Sequence, residues 1–208
     1  MESVKKSLAD IEPMGGHPVL DFVNTVHSRF QTDITDYLHS YEDVVQWQLA
    51  AGLVSKRSAD TLLATAGADP AQAARAFKCA IGLRETLYDI FLAIAHNEMP
   101  TQEKLDQLNG LLASHSSQQR LQLAEEEVCW ECQINTSKCE SLIGPIVRAA
   151  AELLTSRKLG RIKECPAPDG CGWLFLDTSK NRSRSWCSMK TCGNLAKVRR
   201  FRKSHAAD

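Results

Sequence analysis

Four cysteines in the last quarter of the chain are spaced as ligands of one metal ion. Cys165, Cys171, Cys187 and Cys192 follow the pattern C-x5-C-x15-C-x4-C. The first pair encloses two prolines and a glycine, which form a tight loop, and two thiolates on such a loop supply half of a tetrahedral Zn²⁺ shell. The spacing predicts one structural zinc ion held by all four cysteines. The alternative is four ordinary thiols in a loop-rich tail.

The charge of the chain is divided into two opposed parts. Residues 157–208 contain 13 Lys/Arg against 4 Asp/Glu and carry +9, whereas residues 1–156 carry −9. A cationic segment around a metal module is typical of proteins that bind a polyanion, above all nucleic acid. The alternatives are docking onto an acidic protein surface, including that of the same chain, and a solvated face. The candidate contacts are Lys180, Arg182, Arg184, Lys197, Arg199, Arg200, Arg202 and Lys203.

The elements that must position these groups are a β-hairpin and a helix. We predict a strand over residues 172–177, a return strand over 185–187 and a helix from about Lys190. On that helix, Leu195, Val198 and Phe201 share one side, which we expect to pack on the zinc core. Lys197, Arg200 and Lys203 occupy the opposite side.

The preceding residues predict a helical domain. Apolar residues recur at helical spacing over residues 19–26, 36–52 and 70–96 and again toward residue 154, whereas residues 119–134 alternate as a hairpin does. The predicted fold is therefore mainly α. It has a helical domain with one small hairpin over residues 1–156 and a treble-clef-like zinc module over residues 157–208.

Polar residues cluster at the start of the first predicted helix. They are Gly16, His17, Asp21, Asn24 and Thr25. A buried carboxylate such as that of Asp21 needs a partner. One interpretation is a small-molecule pocket, and the other is a polar network that caps and locks the helical domain.

A second cysteine pair, Cys129 and Cys132, has C-x-x-C spacing. Such a pair can be a redox centre or half of a metal site. In a strand, however, residues i and i+3 point to opposite faces, which favours ordinary thiols.

Composition excludes several classes of protein. No apolar run reaches the length of a membrane span, and the first residues lack the apolar stretch of a secretory signal, so we expect a cytoplasmic protein. Phosphate-binding glycine loops, nucleophile elbows and zinc-hydrolase motifs are absent from the sequence. Four cysteines leave zinc no open position for water. We therefore expect a protein that is not an enzyme.

Two stretches of the chain resemble known families. Arg161–Lys163, Cys171–Asp177, Asn181–Arg184, Trp186–Met189, Cys192–Asn194 and Lys197–Arg200 closely resemble the CGNR zinc finger. Gly16–Pro18 and Leu20–Thr25 resemble the start of the ABATE domain, which precedes this finger. The resemblance implies a bacterial, stress-linked transcriptional regulator with a helical domain that binds a small ligand. Leu195 stands where the motif has arginine, and Ser185 where arginine is common, which implies weaker DNA binding.

Together these observations predict a zinc-containing, DNA-binding transcriptional regulator with a small-molecule-sensing helical domain. The alternative is a small-molecule-binding protein or enzyme in which the finger is structural or binds another protein. A basic tail that meets an acidic partner as an adaptor is a third hypothesis. The expected partners are DNA and an unidentified small molecule. A homodimer is also expected, since one short finger contacts too few phosphates and bases for a strong site.

Overall fold

The computed structural model describes residues 6–29, 34–115, 119–124, 127–132, 139–167 and 170–205. The chain forms two compact units. The first comprises residues 1–37, 91–99 and 157–208, and the second comprises residues 38–90 and 100–156. The first unit therefore combines the N-terminal residues with the cysteine-rich end of the chain. Within the described ranges, no helix is long and apolar enough to cross a membrane.

The fold is mainly helical, as the sequence predicts, with short antiparallel strand pairs. In chain order the described elements are α1 Pro18–Val23, β1 Val26–His27, β2 Thr35–Asp36, α2 Tyr41–Ala50, α3 Lys56–Ala68, α4 Pro70–Ala95, α5 Gln102–His115, β3 Gln119–Ala124, β4 Glu127–Cys132, α6 Gly144–Leu154, β5 Ile162–Glu164, β6 Leu174–Leu176 and α7 Asn194–His205. The strands pair as β1–β2, β3–β4 and β5–β6.

The helix boundaries follow local capping chemistry. Asp69 caps α4 by accepting a hydrogen bond from the Gln72 amide at 2.9 Å, and Pro70 occupies the first helical position, as predicted. The helix predicted from residue 36 begins only at Tyr41, because Ser40 accepts the amide hydrogen of Asp43 and acts as the N-cap.

The second unit is a helical core with one hairpin. Buried aliphatic residues of α2, α4 and α6 fill its interior. The Gln48 amide, which is fully buried, donates to the Leu142 carbonyl at 2.8 Å. The predicted hairpin is confirmed as β3–β4, with Leu121 opposite Trp130. Cys129 and Cys132 lie on β4, but their side chains are outside the described part of the structure.

The first unit is built around α1 and the β5–β6 pair. Val19, Leu20, Phe22 and Val23 of α1 are all completely buried, as is Phe175 of β6. The helix predicted over residues 19–26 ends at Val23, because Val26–His27 pairs instead with Thr35–Asp36.

The predicted pairing of the strand over residues 172–177 with residues 185–187 is wrong. The strand itself is present as β6, but it pairs with Ile162–Glu164 and not with residues 185–187. The backbone just before residues 185–187 is held by a side chain and not by strand pairing. The Lys163 ammonium donates to the carbonyls of Arg182 and Arg184 at 2.7 and 3.0 Å.

Candidate metal centre and basic surface

The four predicted cysteines converge on one buried point. Their sulfur atoms all lie within 4.8 Å of one another, and all four residues are buried. The Sγ atoms of Cys171 and Cys187 are 3.7 Å apart, and those of Cys187 and Cys192 are 3.5 Å apart. Zn–S bonds of about 2.3 Å in a tetrahedron require sulfur separations of about 3.8 Å. The donor set therefore fits one structural zinc ion.

The crowding of these thiols itself favours a cation. Hydrogen bonds from Cys171 and Cys187 lower the pKa of Cys165. Hydrogen bonding to Cys165 raises the pKa of Cys171 and of Cys187 instead, and burial raises that of Cys192. Four buried thiols so close together cannot all ionise unless a cation compensates their charge. A divalent ion would remove that conflict, because it would neutralise part of the charge of four thiolates.

Tight backbone turns bring the cysteine pairs together. Gly170 and Gly172, which flank Cys171, have φ values of 71° and 66°, a region that glycine adopts without strain. On the second pair, Ser188 accepts the amide hydrogen of Thr191 and caps a single π-helical turn over Met189–Gly193. This turn places Cys192 two residues before α7, so the metal site fixes the start of that helix.

A buried ionic network supports the loop that follows β6. Asp177 is fully buried and accepts hydrogen bonds from the Lys163 ammonium at 2.6 Å and the Arg184 amide at 3.1 Å. Burial opposes ionisation of Asp177. The hydrogen bonds from Lys163 and Ser179 outweigh it and hold the pKa of Asp177 well below its usual range. The network anchors the loop that carries Lys180 and Arg182.

Arg184 is used inside the zinc module. Its guanidinium donates to the carbonyls of Met14, Leu176, Trp186 and Cys187. It also lies 4.6 Å from the centre of the Phe175 ring. These contacts disfavour the predicted role of Arg184 in binding nucleic acid, since four of its five N–H donors already have acceptors.

The other predicted contacts form an exposed basic surface. We use this name for Lys180 and Arg182 on the loop and Lys197, Arg199, Arg200, Arg202 and Lys203 on α7, all of which are exposed. The expectation that one side of α7 packs on the zinc core is met only at Leu195, which is half-buried. Val198 and Phe201 are 46% and 63% exposed, because only the first turn of α7 adjoins the small metal cluster.

Polar residues predicted to bind a small ligand make contacts within the first unit. His17 caps α1 by accepting the Val19 amide hydrogen at 3.3 Å, and Thr25 donates to the Phe22 carbonyl at 2.7 Å. Asp21 accepts the Gly15 amide hydrogen at 2.7 Å. Asn24 bonds to the backbone of Leu174.

The remaining member of that group, Gly16, has a φ of 70° in the turn before α1. The five residues thus lie in the turn before α1, on α1 and at the two positions that follow it. Their hydrogen bonds are those expected of a locking network, and their role in ligand binding stays a prediction.

Asp21 is expected to make stability depend on pH. Burial raises the pKa of Asp21 from its ordinary value of 3.8 to about 6, against the opposing hydrogen bonds from the Gly15 and Met14 amides. The folded state therefore favours the protonated acid. The contribution of protonated Asp21 to folding stability is complete below about pH 4 and is lost as pH rises through about 6.

The variant Asp21→Asn keeps an acceptor for Gly15 without a charge. We expect it to gain about 1–3 kcal/mol relative to the parent between pH 5 and 7.5. Thermal melts of both proteins across this pH range measure the difference in stability. Release of zinc at acid pH affects both proteins equally and therefore cancels in this difference. A difference that does not vary with pH would contradict the assignment.

A cleft of about 480 Å³ opens beside the metal cluster. Trp173, Tyr37 and His27 contribute ring systems to its wall, and Asp10 and Glu12 contribute carboxylates. The other lining residues are Ile11, Met14, Cys171, Cys187, Thr191, Cys192 and Leu195. Among the described residues, no Lys or Arg lines the cleft, and none of the five residues predicted to bind a ligand does so.

Comparison with known families accounts for most of the chain. Residues 16–157 match the ABATE family, described as "Putative stress-induced transcription regulator". Residues 161–205 match the CGNR zinc finger. A search of curated proteins gives no match to this sequence. The ABATE match covers well over half of the 208 residues and the four-cysteine site lies within the CGNR match. The chain therefore belongs to the ABATE family and ends in a CGNR zinc finger.

Proposed function

We propose that this protein is a transcriptional regulator that binds DNA through the exposed basic surface, acts in the cytoplasm and has no catalytic role. The observation that carries the proposal is the position of this surface. Its cations lie on α7, which begins two residues after the zinc ligand Cys192, and on the loop anchored by Asp177. Long cationic side chains held on a rigid support suit phosphate contacts.

A salt series tests this proposal. The zinc-loaded protein is titrated into labelled duplex DNA, and fluorescence anisotropy gives the association constant at several salt concentrations. The logarithm of this constant should fall linearly with the logarithm of salt concentration, by about 0.9 for each phosphate neutralised. Negligible binding at low salt, or binding indifferent to salt, would contradict a DNA-binding role.

Small-molecule sensing is the second part of the proposal, and the cleft beside the metal cluster favours it. Its volume of about 480 Å³ lies within the range of small-ligand pockets. Aromatic rings beside the Asp10 and Glu12 carboxylates favour a small neutral or cationic organic molecule over an anion. A thermal-shift screen of matched cations, neutral molecules and anions tests this preference. Selective stabilisation by anions would contradict it.

We also propose that two copies of the chain bind DNA together. The basic surface of one module offers seven side chains, few for a strong specific site. Light scattering of the zinc-loaded protein with and without duplex DNA measures the stoichiometry. One chain per duplex at saturation would contradict this part of the proposal.

A further inference from the structure

We propose that Asn24 is a positioning residue for the zinc site, and that residues 11–27, called here the N-terminal segment, form a structural part of the zinc module. Asn24 and its partner Leu174 are 150 residues apart in the sequence. They also fall in different family matches, ABATE and the CGNR finger. The inference concerns metal binding and is independent of whether the protein binds DNA.

The Asn24 side chain takes the place of a strand beside β6. Its amide nitrogen donates to the Leu174 carbonyl at 2.8 Å, and its amide oxygen accepts the Leu174 amide hydrogen at 2.9 Å. Both residues are buried, at 2% and 0% exposure. Two residues along the same strand, the Leu176 amide donates to the Gly15 carbonyl at 2.8 Å. The edge of β6 away from β5 thus has its partners in the N-terminal segment.

Trp173 carries this contact to the first pair of zinc ligands. Its indole N–H donates to the Val26 carbonyl at 2.9 Å, and its own carbonyl accepts the Cys165 amide hydrogen at 2.8 Å. In the sequence, Trp173 lies directly before Leu174 and two residues after Cys171. The loop that presents Cys165 and Cys171 is therefore closed by a residue that the N-terminal segment holds.

Arg184 carries a second contact to the other pair. Its guanidinium joins the Met14 carbonyl, at 2.9 Å, to the carbonyl of Cys187. Met14 and Ile11 pack against the cluster of buried residues that contains all four cysteines. Both cysteine pairs are thus braced by groups that lie outside the CGNR match.

These contacts link zinc binding to the order of the N-terminal segment. Removing the segment's groups would leave the Leu174 amide and carbonyl buried without partners and would loosen the ligand loop. The coupling is reciprocal. Removing zinc should therefore weaken the binding of the segment to the module by the same free energy that loss of the segment's contacts removes from zinc binding. Groups that orient metal ligands from outside the coordination shell typically change metal affinity 10–100-fold when mutated.

The test compares two buried amides in the full-length protein. Asn24→Ala removes the bonds to Leu174, whereas Gln48→Ala removes a similar bond from an amide to the Leu142 carbonyl in the second unit. Zinc affinity is measured by competition with a chromophoric chelator. We expect Asn24→Ala to lose affinity about 10–100-fold, with Gln48→Ala unchanged. Cobalt(II) loading should give altered thiolate and d–d bands in Asn24→Ala alone.

An unchanged affinity in Asn24→Ala, or an equal loss in both variants, would overturn the proposal. Hydrogen exchange on the unaltered protein keeps the test independent of how Asn24→Ala folds. We expect the Leu174 and Leu176 amides, which donate to Asn24 and Gly15, to exchange slowly with zinc bound and much faster after chelation. Amides that stay protected without zinc would show that the contact forms independently of the metal.

Discussion

Replacing Cys187 by serine is expected to release the zinc ion and unfold the zinc module. Cys187 lies 3.7 Å from the sulfur of Cys171 and 3.5 Å from that of Cys192, so it contacts both cysteine pairs. A structural zinc site contributes about 10–16 kcal/mol of apparent binding free energy, which is coupled directly to folding. Metal analysis should give one zinc per chain for the parent and almost none for the variant.

The second unit should survive this change, because its core consists of helices that carry none of the four ligands. Far-ultraviolet circular dichroism should therefore keep most of its helical signal. Cys79→Ser is the matched control, since Cys79 is an exposed cysteine on α4, and it should keep its zinc. Full zinc content in Cys187→Ser would mean that the ligand set is different.

The metal site could be predicted from the sequence because its signal is local. Two cysteine pairs, each within a short loop, limit the separation of the sulfur atoms before any tertiary contact is known. The start of α4 is equally local, since Asp69 and Pro70 act within one turn. Hydrophobic periodicity likewise predicts the helices and the β3–β4 hairpin.

The supporting contacts could not be predicted in the same way, since they join distant parts of the chain. Charge counting treats Arg184 as a surface cation, but the carbonyls of Met14 and Leu176 that accept its hydrogen bonds are brought together only by the fold. Asp177 and Lys163 were not among the candidate residues for the same reason. An aspartate directly after an apolar strand is the one sequence signal that points to this network.

Asn24 illustrates how a sequence pattern can indicate importance without indicating its cause. A buried amide beside Asp21 fits either a ligand pocket or a locking network. The structure has Asn24 hydrogen-bonded to β6, and Asp21 accepts a hydrogen bond from Gly15. The carbonyls of that turn, at Met14 and Gly15, accept hydrogen bonds from Arg184 and Leu176 of the zinc module. The sequence suggested a network that caps and locks the helical domain, whereas the hydrogen bonds of Asn24 join the N-terminal segment to the finger.

Charge removal on α7 is expected to weaken DNA binding strongly. The pair Lys197→Gln and Arg200→Gln removes two exposed cations that lie three residues apart on the helix, and so on one face. If each contacts a phosphate, the association constant should fall roughly 10–30-fold near physiological salt, and the salt slope should decrease by about 2. Anisotropy titrations over a salt series measure both quantities.

A matched pair on the second unit separates a specific contact from a general loss of charge. Arg75→Gln and Lys78→Gln remove one arginine and one lysine at the same spacing on an exposed face of α4. This control changes the net charge by the same amount, so a long-range electrostatic effect would weaken binding in both proteins. A surface contact predicts a loss of affinity and of salt slope in the α7 pair alone. Equal losses in the two pairs would mean that DNA is attracted by net charge and that α7 is not its binding surface.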